Sequence, residues 1–160
     1  MSVTRTAEVE AQEEEFLGLN ELMCFDLYSA QRAVMCAYRP LLDKLGLTYP
    51  QYLVLVALCE DGPSLVKSLC ARLHLDYGTL TPLLKRLEAN GLVVRRRRAD
   101  DERLVEVSLT EEGLALRRQA DDIVPRLEAA MGLTEEELAQ TRTLLRRLTG
   151  NLIARADESG

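Results

Sequence analysis

The sequence predicts a mainly α-helical fold that carries one small β-hairpin. Apolar residues recur at helical spacing over most of the 160 residues, and the pattern changes to strand-like alternation only between residues 92 and 109. The charge is also uneven, because the chain has a formal net charge of -6 while residues 85–103 hold seven basic and four acidic side chains. A compact basic segment on an acidic protein favours a polyanionic partner.

The first two helices follow from apolar spacing and from capping residues. Apolar residues predict a helix over about residues 19–45, and Pro40 is expected to kink or divide it. Thr48 and Gln51 form a capping-box pattern immediately before a strongly apolar stretch. We therefore expect a buried second helix that has Pro50 in its first turn and ends near Asp61-Gly62-Pro63.

Two short helices in tandem are predicted next. Ser64 is expected to cap a helix that ends near Leu73, and a second helix runs to the stop signal Asn90-Gly91. The start of this second helix stays open at this point, because either Asp76 or Thr79 could cap it.

A hairpin and two further helices complete the predicted order. Residues on both sides of a polar tip at 98–102 alternate between apolar and polar, as strands with one buried face do. Thr110 is expected to begin a helix that Pro125 and Gly132 limit, and Thr134 begins the last helix.

Two tandem helices followed by a basic hairpin form a winged helix-turn-helix, which lays its second helix in the major groove of DNA. On that helix four leucines at i, i+3, i+4 and i+7 are expected to face the core, namely Leu80, Leu83, Leu84 and Leu87. The opposite face mixes hydroxyls with cations, which suit phosphates and base edges. We predict that it contacts double-stranded DNA through Tyr77, Thr79, Thr81, Pro82, Lys85 and Arg86.

The residue types disfavour most enzymes and metal sites. The four cysteines form no Cys-x-x-Cys pair and His74 is the single histidine, so neither a zinc site nor the usual nucleophilic triads and dyads find support. The nine glycines are scattered singly, which disfavours a phosphate-binding loop. We predict no catalytic residue, no metal and no cofactor.

The sequence also bears on location. Its uninterrupted apolar runs fall far short of the roughly 18 residues that a membrane helix needs, and its acidic first residues lack the apolar core of an export signal. We expect a cytoplasmic protein without membrane association.

The hairpin and the residues after it resemble the MarR-type family of winged-helix repressors. The wing pattern of that family, Asp-x-Arg followed by a strand and Leu-Thr-x-x-Gly, appears here as Asp101-Glu102-Arg103 and Leu109-Thr110-Glu111-Glu112-Gly113. Residues 22–28, 38–42, 47–53 and 78–88 are similar to the OhrR-type members of that family, which sense organic hydroperoxides. The resemblance covers about residues 19–113.

This resemblance implies a homodimeric repressor that binds a pseudo-palindromic operator and releases it when an organic hydroperoxide oxidises a reactive cysteine. The sensor position matches Cys24, and the tyrosines that hold the sensor match Tyr38 and Tyr49. On the wing we expect DNA-binding residues at Arg97, Arg98, Asp101 and Arg103, with Asp101 orienting Arg103 through a salt bridge.

The expected organisation is one domain preceded by a short tail. Residues 1–18 form an acidic tail that leads into the first helix, and residues 19–160 form a single MarR-type domain. Its winged helix-turn-helix occupies about residues 48–113, and helices at about 19–45 and 114–156 form the dimerisation region.

Helical spacing gives a separate reason to expect a dimer. Cys24 and Tyr38 are 14 residues apart, which is about 21 Å along a straight helix, so the tyrosine cannot easily reach the cysteine of its own chain. A crossing partner helix would bring the other subunit's Tyr38 to Cys24. Tyr28 lies one turn from Cys24 and could contact it within one chain.

The remaining cysteines bear on how an oxidised Cys24 is resolved. No cysteine follows Cys70, so we favour a one-cysteine mode in which a small cellular thiol caps Cys24. Cys36, Cys59 and Cys70 are assigned to the inert core. A cross-dimer disulfide from one of these three to Cys24 stays open.

Two other functions are consistent with some of these features. A repressor of the same family could respond to a non-covalent ligand, such as a phenolic compound, with Cys24 serving only in packing. A thiol peroxidase could use Cys24 as its nucleophile, but that function leaves the basic hairpin unexplained.

Overall fold

The computed structural model describes residues 17–158, so most of the acidic tail expected at 1–18 lies outside the described residues. These residues form a 3-10 helix (Leu19–Glu21), helices α1 (Met23–Asp43), α2 (Tyr49–Asp61), α3 (Val66–Leu73), α4 (Tyr77–Ala89), α5 (Glu111–Gln119), α6 (Ile123–Met131) and α7 (Glu135–Glu158), and strands β1 (Ser64–Leu65), β2 (Val93–Arg97) and β3 (Val105–Leu109). The predicted fold class, mainly helical with a small β-hairpin, is confirmed. None of the described helices is long and apolar enough to cross a membrane.

The chain divides into two compact units, of which the first ends at Met35 and the second begins at Cys36. The second unit holds α2 to α7, the sheet and the last part of α1. Within it Pro40 does not divide α1, which continues to Asp43. The chain then turns at Gly46, whose positive φ of 65° suits glycine.

Helix α2 lies at the centre of the second unit, and its capping box is confirmed. The N–H of Gln51 donates to Thr48 Oγ1 at 3.4 Å, and the N–H of Thr48 donates to Gln51 Oε1 at 2.9 Å. The helix packs against α3, α4, α5 and β3. Its buried residues are Gln51, Tyr52, Val54, Leu55, Ala57 and Leu58.

Ser64 does not cap a helix, so this expectation is wrong. Ser64 and Leu65 form β1, which pairs with β3 and gives an antiparallel sheet of order β1-β3-β2. The hydroxyl of Ser64 donates to the carbonyl of Gly62 at 3.0 Å and is therefore engaged in the preceding turn. Two residues are too few to show strand alternation in a sequence, and a serine before a helical pattern is an ordinary capping signal.

The base of the hairpin is closed by the Thr and the Gly of the Leu-Thr-x-x-Gly motif. Thr110 accepts from the N–H of Gly113 at 3.0 Å, donates its hydroxyl to the carbonyl of Gly91 at 2.6 Å, and donates its own N–H to the carbonyl of Leu92 at 3.1 Å. Gly113 is buried, and a Cβ there would collide with the Leu92 carbonyl. These contacts join the start of α5 to the start of β2.

The helix predicted from Thr110 to Gly132 is two helices. Between α5 and α6 the N–H groups of Ala120 and Asp121 bond three residues back, at 3.1 Å each, which ends α5 in a tight turn. Ala120 is fully buried at this turn. Pro125 lies in the first turn of α6, where a missing N–H is tolerated, so it helps to begin α6.

The last helix begins as predicted. Thr134 Oγ1 accepts from the N–H of Glu137 at 3.2 Å, and the Glu137 carboxylate accepts from the N–H of Thr134 at 2.8 Å. Arg142 of α7 donates to Glu128 of α6, which links these two helices.

We predict that Gly113→Ala lowers the free energy of unfolding by about 1–3 kcal/mol or more, because a side chain there overlaps a fixed backbone carbonyl. Chemical denaturation of the purified variant measures this change. Gly150→Ala is the matched control: Gly150 lies inside α7 with open space around its Cβ direction, so alanine should stabilise the helix by about 0.5–1 kcal/mol. Equal effects at both positions would contradict the prediction.

Candidate nucleic-acid interface

Helix α4 buries the face that the leucine spacing indicates. Leu80, Leu84 and Leu87 are at most 1% exposed, and Leu83 is partly buried against the same core. The predicted core face of this helix is therefore confirmed.

The opposite face of α4 is directed to solvent. Thr81 is partly buried, and the other five predicted residues are exposed: Tyr77, Thr79, Pro82, Lys85 and Arg86. These side chains are therefore accessible to DNA. Their contact with DNA stays a prediction.

Asp76, and not Thr79, caps α4. Its carboxylate accepts from the N–H of Thr79 at 2.7 Å and from the Thr79 hydroxyl at 3.1 Å. These hydrogen bonds, first that of the N–H, lower the pKa of Asp76 below its ordinary value. The proton of the Thr79 hydroxyl is thus used in a hydrogen bond within the helix. The lone pairs of the hydroxyl oxygen can still accept a hydrogen bond from a donor group of DNA.

The two faces of β2 carry different arginines. The antiparallel register sets Arg95 opposite Val107 and Arg97 opposite Val105, whereas Arg96 lies opposite Glu106. Because residues alternate across a strand, Arg95 and Arg97 share one face of the sheet and Arg96 lies on the other.

The arginines of the wing tip are paired with neighbouring groups. Arg98 forms a bidentate pair with Asp100 at 2.8 and 2.6 Å, and Arg103 pairs with Asp101 at 3.1 Å while its side chain is 90% exposed. Hydrogen bonds from these arginines lower the pKa of both aspartates. The salt bridge expected between Asp101 and Arg103 is present.

Arg97 differs from its neighbours in the tip. Its guanidinium donates to the backbone carbonyl of Glu102 at 2.9 Å. A carbonyl is a neutral group, so this hydrogen bond supports the side chain without cancelling its charge.

Arg95 pairs with Glu88 of α4, a contact that the sequence reasoning missed. Glu88 Oε2 accepts from Arg95 Nε at 2.9 Å and from Nη2 at 2.7 Å. The Arg95 side-chain hydrogen bonds are the main reason that the pKa of Glu88 is lowered. Sequence periodicity does not indicate this pair, because the two residues are seven positions apart and lie on different elements.

A cavity of about 180 Å³ lies where α3, α4 and the wing meet. Its polar lining includes Lys67, Tyr77, Thr81, Arg95 and Arg103. The fold thus brings predicted residues of α4 and of the wing together, and it adds Lys67 at the start of α3. Lysines are frequent on solvent-facing helix turns, so nothing in the sequence singled out Lys67.

The predicted sensor residues of the first unit lie at the start of α1. Cys24 is exposed. Tyr28 is exposed as well, and its hydroxyl accepts from Arg32 Nη1 at 3.2 Å, with the Arg32 guanidinium 5.6 Å from the ring centre. Tyr28 is therefore held by Arg32.

The other two predicted sensor residues, Tyr38 and Tyr49, lie in the second unit and contact each other. Their ring centres are 4.7 Å apart, and Tyr52, which the sequence reasoning did not single out, lies 6.2 Å from Tyr38 and 6.4 Å from Tyr49. Burial, followed by the effect of the neighbouring tyrosines, raises the pKa of Tyr38 to about 12. Its hydroxyl therefore remains a proton donor throughout the neutral pH range.

The assignment of the remaining cysteines to the core is correct for one of three. Cys70 is buried, and this burial raises the pKa of its thiol. Cys36 and Cys59 are exposed, so for them the assignment is wrong. Cys59 lies in the last turn of α2 beside two acidic residues, where the helix leaves the core. Among the described residues no cluster of histidine, cysteine and carboxylate side chains could hold a metal ion.

The fold, the leucine-anchored helix α4 and the arginine-rich wing define a winged helix-turn-helix DNA-binding protein. Residues 37–119 match the family described as transcriptional regulator SarA/Rot. The organic hydroperoxide resistance transcriptional regulator of Bacillus subtilis (strain 168) is 43% identical over 138 residues, which are 86% of this chain and 94% of that protein. The chain belongs to the MarR-type family of transcriptional regulators, which are DNA-binding proteins and not enzymes.

Solved structures agree with this family. Reduced AbfR bound to DNA is 33% identical, with a TM-score of 0.68, and the match covers 84% of this chain and 94% of that one. Overoxidised AbfR bound to DNA matches with a TM-score of 0.66, 33% identity and coverage of 82% and 93%. PcaV from Streptomyces coelicolor, in complex with its natural ligand, is 25% identical with a TM-score of 0.76, covering 85% and 97%.

We predict that the free energy of unfolding falls less steeply with alkaline pH in Tyr38→Phe than in the wild-type protein. A raised pKa means that the folded state favours the protonated phenol, so this contribution is fully present below the ordinary pKa of 10.0 and is lost as the pH rises towards about 12. Urea unfolding at several pH values across this range measures the decline in wild type and variant. Parallel pH profiles would contradict the prediction.

Proposed function

We propose that this regulator is a repressor that senses organic hydroperoxides through Cys24 and releases its operator when Cys24 is oxidised. The observation that carries the proposal is an exposed thiol at the first turn of α1, in a segment that resembles hydroperoxide-sensing regulators. The Bacillus subtilis relative is named as an organic hydroperoxide resistance regulator, which supports the same signal. The protein would act in the cytoplasm, where the DNA is.

The chemistry needs one thiolate and two small molecules. The Cys24 thiolate attacks the distal oxygen of the hydroperoxide, the O–O bond breaks, and the products are a sulfenic acid and the corresponding alkoxide, which takes a proton to become an alcohol. A small cellular thiol then attacks the sulfenic sulfur, forming a mixed disulfide and releasing water. Each chain is oxidised once, so the protein is a sensor and not a peroxidase.

The proposal includes a homodimer. Helix α7 exposes four large apolar side chains that a partner subunit would cover in a dimer, namely Leu144, Leu145, Leu152 and Ile153. In the dimer the partner subunit's Tyr38 and the partner subunit's Tyr49 would donate hydrogen bonds to the Cys24 thiolate. The raised pKa of Tyr38 extends into the alkaline range the interval over which its hydroxyl can donate.

DNA release would follow from geometry. A two-fold dimer places its recognition helices about 34 Å apart, one turn of DNA, so that both enter the major groove of a pseudo-palindromic operator. A thiol adduct on Cys24 adds bulk where the dimer holds Tyr38 and Tyr49, and the subunits would have to move to accommodate it. A change in the spacing of the two helices then lowers the affinity for the operator.

A non-covalent ligand in the dimer cleft, such as a phenolic compound, is the second candidate signal. The match with PcaV, which was solved with its natural ligand, supports this function. In that case the thiol of Cys24 is dispensable for induction.

We predict that wild-type protein loses affinity for the promoter DNA of its own gene after a stoichiometric organic hydroperoxide plus a small thiol, and that Cys24→Ser does not. Fluorescence anisotropy measures the affinity, and mass spectrometry identifies the adduct. Cys59→Ser is the matched control, since Cys59 is also an exposed thiol and the one-cysteine mode does not need it. Release from oxidised Cys24→Ser would instead point to a different signal.

We also predict that Arg103→Ala weakens DNA binding and reduces the slope of log affinity against log salt by about 1, as expected when one phosphate contact is lost. Anisotropy titrations over a range of salt concentrations give both values. An unchanged affinity with an unchanged slope would remove Arg103 from the interface.

A further inference from the structure

We propose that Glu88 and Arg95 form a clamp that fixes the wing relative to the recognition helix α4, and that Arg95 positions the wing instead of binding DNA. This inference rests on the proposed contact of the wing with DNA. It gives a role to Arg95, which the sequence analysis did not place among the DNA-binding arginines of the wing.

The clamp joins two elements through three hydrogen bonds. Glu88 lies in the last turn of α4, and its carboxylate accepts from the side chain of Arg95 at 2.9 and 2.7 Å and from the backbone N–H of Arg95 at 3.2 Å. The backbone bond means that Glu88 holds the strand itself as well as the side chain. A charge-assisted pair with several hydrogen bonds favours one relative orientation.

The clamp is also more sheltered than the pairs at the wing tip. The side chains of Arg95 and Glu88 are 25% and 37% exposed, compared with 90% for Arg103. Arg95 lies on the sheet face of its cross-strand neighbour Val107, which is fully buried. Partial shielding from water makes loss of one partner more harmful than it is for a surface pair.

A small rotation of β2 moves the tip of the wing by a larger distance. Residues 90–92 connect α4 to β2 and include Gly91, whose φ of 72° marks a turn between the two elements. Strand β2 has five residues and extends about 17 Å at roughly 3.3 Å per residue. Arg95 is the third of these five residues, and a rotation of β2 by about 10° about its first residue, which the clamp resists, moves the far end of the strand by about 3 Å. That displacement is enough to lose a hydrogen bond to a phosphate.

A direct DNA role for Arg95 predicts the opposite sign for one variant. If Arg95 bound a phosphate, Glu88 would compete with the DNA for it, and Glu88→Gln would tighten binding. If the pair is a clamp, Glu88→Gln and Arg95→Gln both release the wing and both weaken binding.

The experiment compares Glu88→Gln, Arg95→Gln and the double variant on a duplex that wild-type protein selects from a random-sequence library. Affinity is measured over a range of salt concentrations. Hydroxyl-radical protection reports on the wing in the minor groove, and guanine methylation protection reports on α4 in the major groove. All measurements are made where circular dichroism shows each variant folded.

The clamp predicts that each single variant raises Kd about tenfold, which is about 1.4 kcal/mol, and that both lower the salt slope to the same extent, because the phosphate contacts of the wing are lost together. The double variant should be no weaker than either single variant, because both remove the same interaction. Wing protection should be lost while α4 protection remains. The exchanged pair, Glu88→Arg with Arg95→Glu, should restore part of the wing protection.

Arg97→Gln is the matched control. Arg97 lies two residues further along the same face of β2, and its guanidinium donates to a neutral backbone carbonyl, that of Glu102. The Arg97→Gln variant should reduce the salt slope by about 1. Tighter binding by Glu88→Gln, or a slope that falls in Arg95→Gln but not in Glu88→Gln, would overturn the clamp in favour of a direct contact. Equal loss of wing protection and α4 protection would show that the pair only stabilises the domain in general. That result would also overturn the clamp.

Arg103→Ala, measured in the same series, separates failure of the clamp from failure of the proposed wing contact. If Arg103→Ala weakens binding while Glu88→Gln does not, the clamp alone is overturned. If wild-type protein shows no wing protection and Arg103→Ala keeps wild-type affinity, the proposed wing contact fails and the clamp inference fails with it.

Discussion

The burial of three leucines on α4 decides which residues this helix presents to solvent, on the face predicted to contact DNA. Leu80, Leu84 and Leu87 are almost completely inaccessible, and the elements packed around α4 include α2, α3 and β2. A rotation of α4 by one residue would turn these side chains by about 100° and leave cavities in a close-packed core. The outward direction of Lys85 and Arg86 is therefore a consequence of packing, and the interface cannot be altered independently of the core.

The wing depends on the same core through a second fixed point. Thr110 bonds the start of α5 to the backbone carbonyls of Gly91 and Leu92, between α4 and β2, and its hydroxyl oxygen also accepts from the N–H of Gly113. This junction requires a residue without a Cβ at Gly113, because the Leu92 carbonyl occupies that space. The motif by which the sequence resembles its family is thus explained by a steric requirement at the base of the hairpin.

Sequence reasoning succeeded where a physical signal repeats or has a fixed spacing. The leucine periodicity of α4, the capping residues of α2 and α7 and the alternation of β3 were sufficient to predict the order of helices and hairpin. It failed at β1, because two residues cannot show a period, and at the break between α5 and α6, which depends on the burial of Ala120 by tertiary packing. The exposure of Cys36 and Cys59 was missed for a similar reason, since an apolar neighbourhood in sequence does not fix which face of a helix is covered.

For the candidate site, too, sequence reasoning found some features and missed others. Charge counting located the basic segment, and family resemblance pointed to Cys24, Tyr38 and Tyr49. Neither could separate arginines that are already paired from those that are not, because pairing depends on which carboxylate the fold brings within reach. Glu88 and Arg95 meet across two elements, and Tyr52 joins Tyr38 and Tyr49 through the packing of α2.

The charge pairs within the wing tip bear on how quickly the protein finds DNA. Residues 98–103 hold two arginines and three carboxylates, so the tip is slightly acidic. At distances beyond a Debye length of about 8 Å the tip exerts almost no attraction on a DNA phosphate. Long-range steering must therefore come from cations such as Lys85, Arg86 and Arg97, which set the association rate. In the proposed complex the tip arginines would act only after contact, when phosphates replace their aspartates, and so they would govern how long the complex lasts.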